Sequence, residues 1–227
     1  MKFQSVLSSV FMLLLVSGCA AKEGDQDLWV FTSTWLPQIC AEEQSSCCHT
    51  ASDFMKTHLT IGDLVPTYTN GQSQESMCRY TYGTFTPGNI NAANKDDLVQ
   101  FWPVRSAANL TKTWSGKFQN GYADTPEYKW TCSGLDQTTY LQSALALAKR
   151  IGTPDCIINS IGATLETSHL RSSNVVLQCT DGYLARILTC WSQDSSVHTP
   201  VSQADCPAAI VATDSCPGET VKIRAFQ

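Results

Sequence analysis

Short stretches rich in apolar residues, separated by polar turns, mark the chain beyond its N-terminal segment. LWVFTSTW (28–35) combines valine, phenylalanine, threonine and tryptophan, a composition that predicts a buried strand. HLTIGDLVP (58–66) predicts a second strand that ends at Pro66, and TYTNGQSQ then supplies an Asn-Gly turn signal. Between the two strands, the more polar AEEQSSCCHTASDFMKTH (41–58) predicts a short helix.

Helical periodicity dominates the middle of the chain. Residues Asp96–Phe101 are predicted to form a helix that is capped by Asn94 or a nearby residue and stopped by Pro103. The strongest pattern is TTYLQSALALAKRIG (138–152), where apolar residues recur at helical spacing and Gly152 ends the helix. The predicted apolar face of this helix carries Tyr140, Leu141, Ala144, Leu145 and Ala148.

The C-terminal part of the chain predicts a shorter helix followed by a hairpin. The helix is expected from Cys156 to Thr167. NVVLQC (174–179) and LARILTC (184–190) then predict two strands joined by the turn Thr180-Asp181-Gly182. No internal repeat and no linker rich in proline, glycine or serine divides these elements, so one domain is the simplest organisation.

The stretch from Val104 to Pro126 predicts a long surface excursion, because it combines glycines and prolines with many polar residues. It contains Asn109-Leu110-Thr111, an acceptor sequence for N-glycosylation in a secreted protein. Asn109 is therefore expected to be exposed and is a candidate glycosylation site.

The N-terminus has the pattern of a secretory signal. A lysine at position 2 precedes an apolar stretch, Val6–Val16, and then small residues up to Ala21, which is too short to span a bilayer. We therefore predict a signal peptide over residues 1–21 and one domain over residues 22–227. In an alternative interpretation, LVSGC is a lipoprotein processing site that leaves a lipid on Cys19.

The cysteine content supports an oxidising compartment. Of eleven cysteines, ten follow the signal segment, and such an even, dense set predicts disulfides formed outside the cytosol. Zinc is the competing explanation, but the chain has no CxxC pair and its four histidines are far from ligand-like spacing. We expect a secreted, extracellular protein with no metal, no other cofactor and no membrane segment in its mature form.

Charge limits the class of partner. The formal net charge is −5, and basic residues are interspersed with acidic ones. Tight nucleic-acid binding that is independent of sequence depends on lysines and arginines that displace counterions. The chain shows no such block of basic residues, and DNA is not an expected partner.

The order of these motifs resembles the ribonuclease T2 family. LTIGDLVPTYTNG resembles the family's first catalytic segment, FTIHGLWPxYxxG, and KWTCSGLDQTTYLQSALAL resembles the end of its second, HEWxKHGTC, with the following helix. WLPQIC with the paired Cys47-Cys48, the helix end LVQFWP, and VVLQC, ARILTC and ADCP before Cys216 complete the order over most of the mature chain. The resemblance implies an α+β fold: a single disulfide-rich domain with a central antiparallel sheet and flanking helices.

The resemblance also implies a set of disulfides. The pairs carried over from the family are Cys40–Cys47, Cys78–Cys132, Cys179–Cys216 and Cys190–Cys206. The family's usual partner for Cys48 would lie after Pro103, where this chain has no cysteine. Cys48 and Cys156 remain, and their pairing is a prediction by elimination.

The residues that the family uses for catalysis are not all present. Members cleave RNA by attack of a ribose 2′-hydroxyl on the adjacent phosphorus, which needs one imidazole to remove a proton and a second group to protonate the leaving oxygen. Here Gly62 stands in the place of the first histidine, and Asp63 follows it. In the second segment Lys129 and Trp130 stand where His-Gly is expected, and a shifted alignment through Trp114 recovers no histidine either.

Other polar residues are candidates for the missing role. His58 lies four positions before Gly62 on the same predicted strand, about 13 Å away by strand spacing, so it is either a displaced base or a surface or capping histidine. Asp63, Glu127 and Lys129 are candidates for a residual polar cluster, against the alternative that each is solvated.

Four aromatic residues are candidates for substrate binding. Trp35, Tyr68, Trp114 and Trp130 could line a cleft in which bases stack. The alternative is that they fill the hydrophobic core, as buried aromatic residues do in a domain of this size.

Three hypotheses for function follow. The first is a secreted, catalytically inactive protein that keeps the ribonuclease T2 scaffold and binds RNA, a nucleotide or a protein, as a monomer. The second is a weakly active endoribonuclease that forms 2′,3′-cyclic phosphates. The third is a secreted interaction or storage protein with no ligand in its cleft.

Overall fold

A computed structural model describes residues 24–43, 51–72, 86, 88–103 and 133–226. Within these ranges seven strands, seven α-helices and one 3-10 helix follow one another in a mixed order. In chain order they are β1 (Leu28–Thr34), α1 (Leu36–Glu43), α2 (Asp53–Thr57), β2 (Thr60–Thr67), α3 (Gly88–Ala92), α4 (Lys95–Phe101), α5 (Gln137–Ile151), α6 (Asp155–Ile158), β3 (Thr164–Glu166), a 3-10 helix (Thr167–His169), β4 (Val175–Thr180), β5 (Tyr183–Gln193), β6 (Pro200–Gln203), α7 (Ala208–Val211) and β7 (Thr220–Lys222). The predicted α+β class is confirmed.

The longest strand, β5, is the centre of a single sheet. β1 pairs with residues 186–192 of β5 along one edge, and β4 pairs with residues 183–189 along the other. The strands follow the order β2-β1-β5-β7-β3, with β4 and β6 also paired to β5. Every pairing between these strands is antiparallel except β5 with β7, which meet in parallel at Tyr183 and Lys222. The predicted central antiparallel sheet is therefore confirmed, with one parallel contact made by the C-terminal segment.

The two faces of the sheet bury different cores. On the back face, Phe31 and Leu64 pack with the apolar side of α5. Ile187 on the same face packs with Trp35 and Val221 in a second cluster, and the two clusters together form the back-face core. The front face carries Val30 and Leu188, which pack with Cys190, Cys206 and Ile210 next to α7. Because side chains alternate along a strand, Val30, Thr32 and Thr34 share the front face.

Helix α5 confirms the strongest pattern in the sequence. The carboxylate of its N-cap, Asp136, accepts a hydrogen bond from the Thr139 amide, and Gly152 ends the helix with φ of 62°. Tyr140, Leu141 and Ala144 on its inner face are 3% exposed or less, as the helical spacing predicts. No helix in the described part of the chain is long and apolar enough to cross a membrane.

Other predictions set by local sequence are also confirmed. Asn94 caps α4 through a hydrogen bond from the Asp97 amide, and the helix ends at Phe101. The β4–β5 hairpin turns through Asp181 and Gly182, both with positive φ, as a tight type I′ turn requires. The Gly71 amide in the Asn-Gly turn donates to the Tyr68 carbonyl at 2.7 Å.

The predicted end of one helix is wrong. The helix expected from Cys156 to Thr167 ends at Ile158, and Gly162 follows with φ of 80°. The chain then forms β3, whose Leu165 pairs with Val221 of β7 in the core. Because Val221 lies far from Leu165 in the sequence, no local pattern predicts β3.

The disulfides divide into confirmed, untested and wrong predictions. Cys179–Cys216 and Cys190–Cys206 are present, with Cα separations of 4.8 and 5.2 Å. Cys40 is disulfide-bonded, and its predicted partner Cys47 lies outside the described residues, as does the pair Cys78–Cys132. Cys156 has a free thiol, so the pairing of Cys48 with Cys156 is wrong. The half-buried Cys156 side chain instead packs against the back-face core.

The free thiol gives a prediction that can be checked by mass spectrometry. Alkylation of the denatured protein without reductant is expected to modify Cys156, because no disulfide protects it. The cysteines of the two observed disulfides serve as internal controls, since they should react only after reduction. Recovery of a peptide that links Cys156 to another cysteine would contradict the structure.

Candidate functional site

Position 62 is an extra residue in the edge strand β2. Asp63 pairs with Thr32 and Ile61 pairs with Ser33, so Gly62 is left without a register partner and forms a bulge. Its backbone is exposed on the front face of the sheet. A glycine at this point supplies no side chain to the surface that the bulge presents.

Two threonines on β1 occupy the space next to Gly62. A Cβ atom added to Gly62 would lie 2.4 Å from Thr34 Oγ1 and 3.1 Å from Thr32 Cγ2. It would also lie 3.2 Å from the Thr32 carbonyl oxygen, which belongs to the sheet backbone. A side chain at position 62 therefore requires the Thr34 hydroxyl to rotate or shift, and the Thr32 side chain and carbonyl to give by a few tenths of an ångström. Sequence reasoning singled out Gly62 but not these threonines, although the alternation in LWVFTSTW placed both on one face.

Asp63 contributes a carboxylate beside the bulge. It is half-buried, and its Oδ1 accepts a hydrogen bond from the Leu64 amide at 2.9 Å. The Leu64 carbonyl in turn accepts a hydrogen bond of 2.6 Å from the buried Tyr140 hydroxyl. Burial, and next the negative charge of Asp63, raise the pKa of Tyr140 well above its ordinary value of about 10.

Replacing Tyr140 with phenylalanine tests this arrangement. The variant is expected to lose about 1 to 3 kcal/mol of unfolding free energy, because the buried Leu64 carbonyl loses its donor. The wild-type phenol stays protonated in the folded state while it ionises in the unfolded chain above about pH 10. Its contribution to stability is therefore complete below pH 10 and falls as the pH rises further. Urea unfolding at pH 7 to 11 measures both the stability lost in the variant and the decline of the wild type above pH 10. An equal decline in the two proteins above pH 10 would contradict the raised pKa of Tyr140.

His58 does not lie on the strand with Gly62. It is the C-cap of α2, and its ring stacks on Phe54 with centroids 4.3 Å apart. Its Nδ1 lies 2.8 Å from the Thr57 hydroxyl, and Phe54 packs against Phe101 of α4. The strand placement predicted for His58 is thus wrong, and its contacts fit the alternative of a capping histidine.

The other described histidines belong to separate regions. His169, on the 3-10 helix, has Glu166 as a neighbour at 3.8 Å. His198, between β5 and β6, lies against Gly24 and forms a 2.9 Å hydrogen bond with the Gln193 side chain. No neighbour is shared among the three described histidines, and His49 lies outside the described residues.

Of the four aromatic candidates for a base-stacking cleft, the structure describes Trp35 and Tyr68. Trp35 is fully buried in the back-face core, and its indole donates to the Arg224 carbonyl, so its proposed stacking role is wrong. Tyr68 is half-buried at the end of β2. The remaining candidates lie outside the described residues: Asn109, Trp114, Glu127, Lys129 and Trp130.

Comparison with known proteins identifies the family. The model of the ribonuclease T2 family matches residues 26–199, which is more than half of the chain. The chain belongs to the ribonuclease T2 family. No curated protein sequence matches it closely.

Solved structures of ribonuclease T2 type share the fold at low identity. The RNase-related protein from Calystegia sepium is 18% identical with a TM-score of 0.62, over 91% of this chain and 100% of that one. RNase NT, solved in complex with 5′-AMP, is 19% identical with a TM-score of 0.58, over 89% and 100%. The self-incompatibility-associated SF11-RNase from Nicotiana alata is 18% identical with a TM-score of 0.57, also over 89% and 100%.

Within the T2 fold, the bulge in β2 falls in the segment that resembles the family's first catalytic motif. Gly62 occupies the place of the first histidine in that resemblance. Asp63 is the nearest described titratable side chain along the strand, and its carboxylate already accepts a backbone hydrogen bond. Among the described residues, no group of three histidine, cysteine or acidic side chains could hold a metal ion.

Proposed function

We propose that this ribonuclease T2 protein is secreted, does not cleave RNA, and binds RNA or a nucleotide as a monomer on the front face of its sheet. The observation that carries the proposal is the contact between position 62 and Thr34. A histidine at this position would bring a Cβ atom that lies only 2.4 Å from the Thr34 hydroxyl oxygen.

The lack of a histidine at position 62 matters because RNA cleavage needs a proton acceptor there. Attack by a 2′-hydroxyl requires a base at the oxygen that loses its proton, and glycine has no group that accepts one. A positioned general base or acid contributes about 10²- to 10⁴-fold in rate, so losing one removes most turnover. The Asp63 carboxylate already accepts a hydrogen bond from the Leu64 amide, and His58 is stacked on Phe54 at the end of α2.

Several features support secretion. The N-terminal segment reads as a signal peptide, and the two observed disulfides join segments of the C-terminal half. Cys190 and Cys206 are at least 91% buried in the front-face core, where a disulfide formed in an oxidising compartment would persist.

Nucleotide binding is supported by solved structures of the same fold that contain a nucleotide. A mutant of RNase MC1 and RNase NT share this fold, and their structures were solved as complexes with 5′-UMP and 5′-AMP, respectively. The front face next to Gly62 offers hydroxyl, carboxylate and guanidinium groups from Thr32, Asp63 and Arg186. Such groups can contact ribose and phosphate without performing proton transfer.

A binding titration tests the proposal. Fluorescently labelled single-stranded RNA is titrated with protein at physiological salt, and the recovered RNA is analysed for strand breaks. Saturable binding with intact RNA is expected. Cleavage of the RNA would support a weakly active ribonuclease instead, and absence of saturable binding would support an interaction or storage protein.

A further inference from the structure

The front face extends beyond Gly62 across three further strands. Val221 on β7 and Ile223 just beyond it pack into the back-face core, so Lys222 and Arg224, which alternate with them, project to the front. Lys222 pairs in register with Tyr183 at the start of β5. The C-terminal segment therefore places two cations on the face that carries the bulge of β2.

The two cations converge on one aromatic ring. Arg224 Cζ lies 4.0 Å and Lys222 Nζ lies 5.3 Å from the Tyr183 ring centroid. The cationic groups are therefore no more than about 9 Å apart. Beside them is an open cavity of about 360 Å³, which Gly162, Ala163 and Thr164 also line.

Hydrogen bonds to Gln38 and Trp35 hold Arg224 in place. Its Nε donates to Oε1 of Gln38, a side chain on α1 that is only 2% exposed and that donates in turn to Glu42. The Arg224 carbonyl accepts a hydrogen bond of 2.8 Å from the buried indole of Trp35. These contacts fix the guanidinium against Tyr183 and use only its Nε donor, which leaves the terminal nitrogens for a ligand.

Lys222 and Arg224 have no ion-pair partner in the described part of the chain. Two like charges close to one ring repel each other, and an anion within reach of both would be attracted to each cation and offset that repulsion. A planar guanidinium next to an ammonium suits the oxygens of a phosphate group in particular.

We propose that Tyr183, Lys222 and Arg224 form a site that binds a phosphate group. The site is independent of the proposed function, since it could hold free phosphate even if no RNA bound near Gly62. Arg186 lies between the two regions, because it pairs in register with Thr34 of β1 and precedes Leu188 by two residues on the front face. A polynucleotide that occupied the site could therefore also reach Arg186 and the bulge of β2.

Inorganic phosphate titrated into the isotope-labelled protein tests the site. We expect saturable shifts in the NMR signals of the Arg224 Nε–H and the Gln38 side-chain amide. In Lys222→Gln, which alters an exposed side chain, affinity should fall about tenfold, as expected when a charge-assisted hydrogen bond is removed. The control Lys95→Gln removes the same charge from an exposed position on α4 and should leave phosphate binding unchanged. Absence of saturable shifts, or equal weakening in both variants, would overturn the proposal.

Two further arms identify the source of the phosphate. A single-stranded oligoribonucleotide and a 5′-mononucleotide are each competed with inorganic phosphate. Weaker oligonucleotide binding in both Lys222→Gln and Arg186→Gln would assign the site to a nucleic acid. Phosphate or mononucleotide binding that depends on Lys222 but not on Arg186 would assign it to a small phosphorylated ligand, and both outcomes support the site.

Discussion

Replacing Gly62 with alanine is expected to lower the free energy of unfolding by about 1 to 3 kcal/mol, the range for inserting a methyl group into a packed position. The new Cβ would meet Thr34 Oγ1 at 2.4 Å and the Thr32 carbonyl at 3.2 Å. Thr34 is 7% exposed and branched at Cβ, so its rotation is restricted. Urea unfolding of the two proteins measures the difference.

Two controls separate the contact with Thr34 from a general effect of glycine replacement. Gly218→Ala adds a methyl group where no heavy atom lies within 4 Å, and it should change stability little. In a Thr34→Ala background, the cost of Gly62→Ala should be smaller, and the coupling energy measures the clash. Equal costs at positions 62 and 218 would contradict the packing described for the bulge.

The same contact predicts the outcome of an attempted reversion. Gly62→His introduces the same Cβ and a larger ring, so it should destabilise the protein at least as much as alanine does. Ribonuclease activity should not appear in this variant, because the imidazole cannot be held in one orientation while the Thr34 side chain occupies the space next to position 62. Activity in the single variant would show that β1 adjusts easily.

Removal of the Cys190–Cys206 disulfide is expected to have the largest effect on stability. The bond closes a loop with a sequence separation of 16, which corresponds to about 3 kcal/mol from restriction of the unfolded chain. Both cysteines are also buried in the front-face core, so changing them to alanine leaves a cavity beside Val30 and Leu188. The double variant should unfold at a markedly lower urea concentration than the wild type.

Cys156→Ala is the matched control for the double variant. It removes a sulfur atom from a half-buried position without breaking a cross-link. Its cost should stay below about 1.5 kcal/mol, as for mild changes in packing. A loss in Cys156→Ala as large as in the double variant would show that cavity formation, and not the cross-link, accounts for the effect.

The elements that the sequence predicted correctly are those whose causes are local. Asp136 and Asn94 cap their helices with their own side chains, and the apolar spacing of α5 matches the face it buries. Asp181-Gly182 supplies the positive φ values that a two-residue hairpin needs. Each of these signals lies within a few residues of the structure it produces.

The errors arise where distant segments decide the structure. β3 forms because β7 pairs with it. His58 caps α2 with its ring stacked on Phe54, which in turn makes an edge contact with the distant Phe101. The pairing of Cys48 with Cys156 rested on counting cysteines, and a count carries no geometric information.

The candidate site was only partly predictable, because its geometry depends on how distant strands pair. The glycine at position 62 is visible in the sequence, but the bulge and the contact with Thr34 depend on the register between β1 and β2. Lys222 and Arg224 alternate with the apolar Val221 and Ile223, which indicates one shared face. Their convergence on Tyr183 requires the parallel pairing of β5 with β7.

The absence of a proton acceptor at position 62 is tested most directly by incubating the purified protein with single-stranded RNA and measuring 2′,3′-cyclic phosphate ends over time. RNase NT assayed in parallel provides the positive control. The expected rate is indistinguishable from that of RNA without protein, and Gly62→Ala should show the same rate. Cyclic ends that form in proportion to the concentration of the unmodified protein would contradict the proposal that the protein is catalytically inactive.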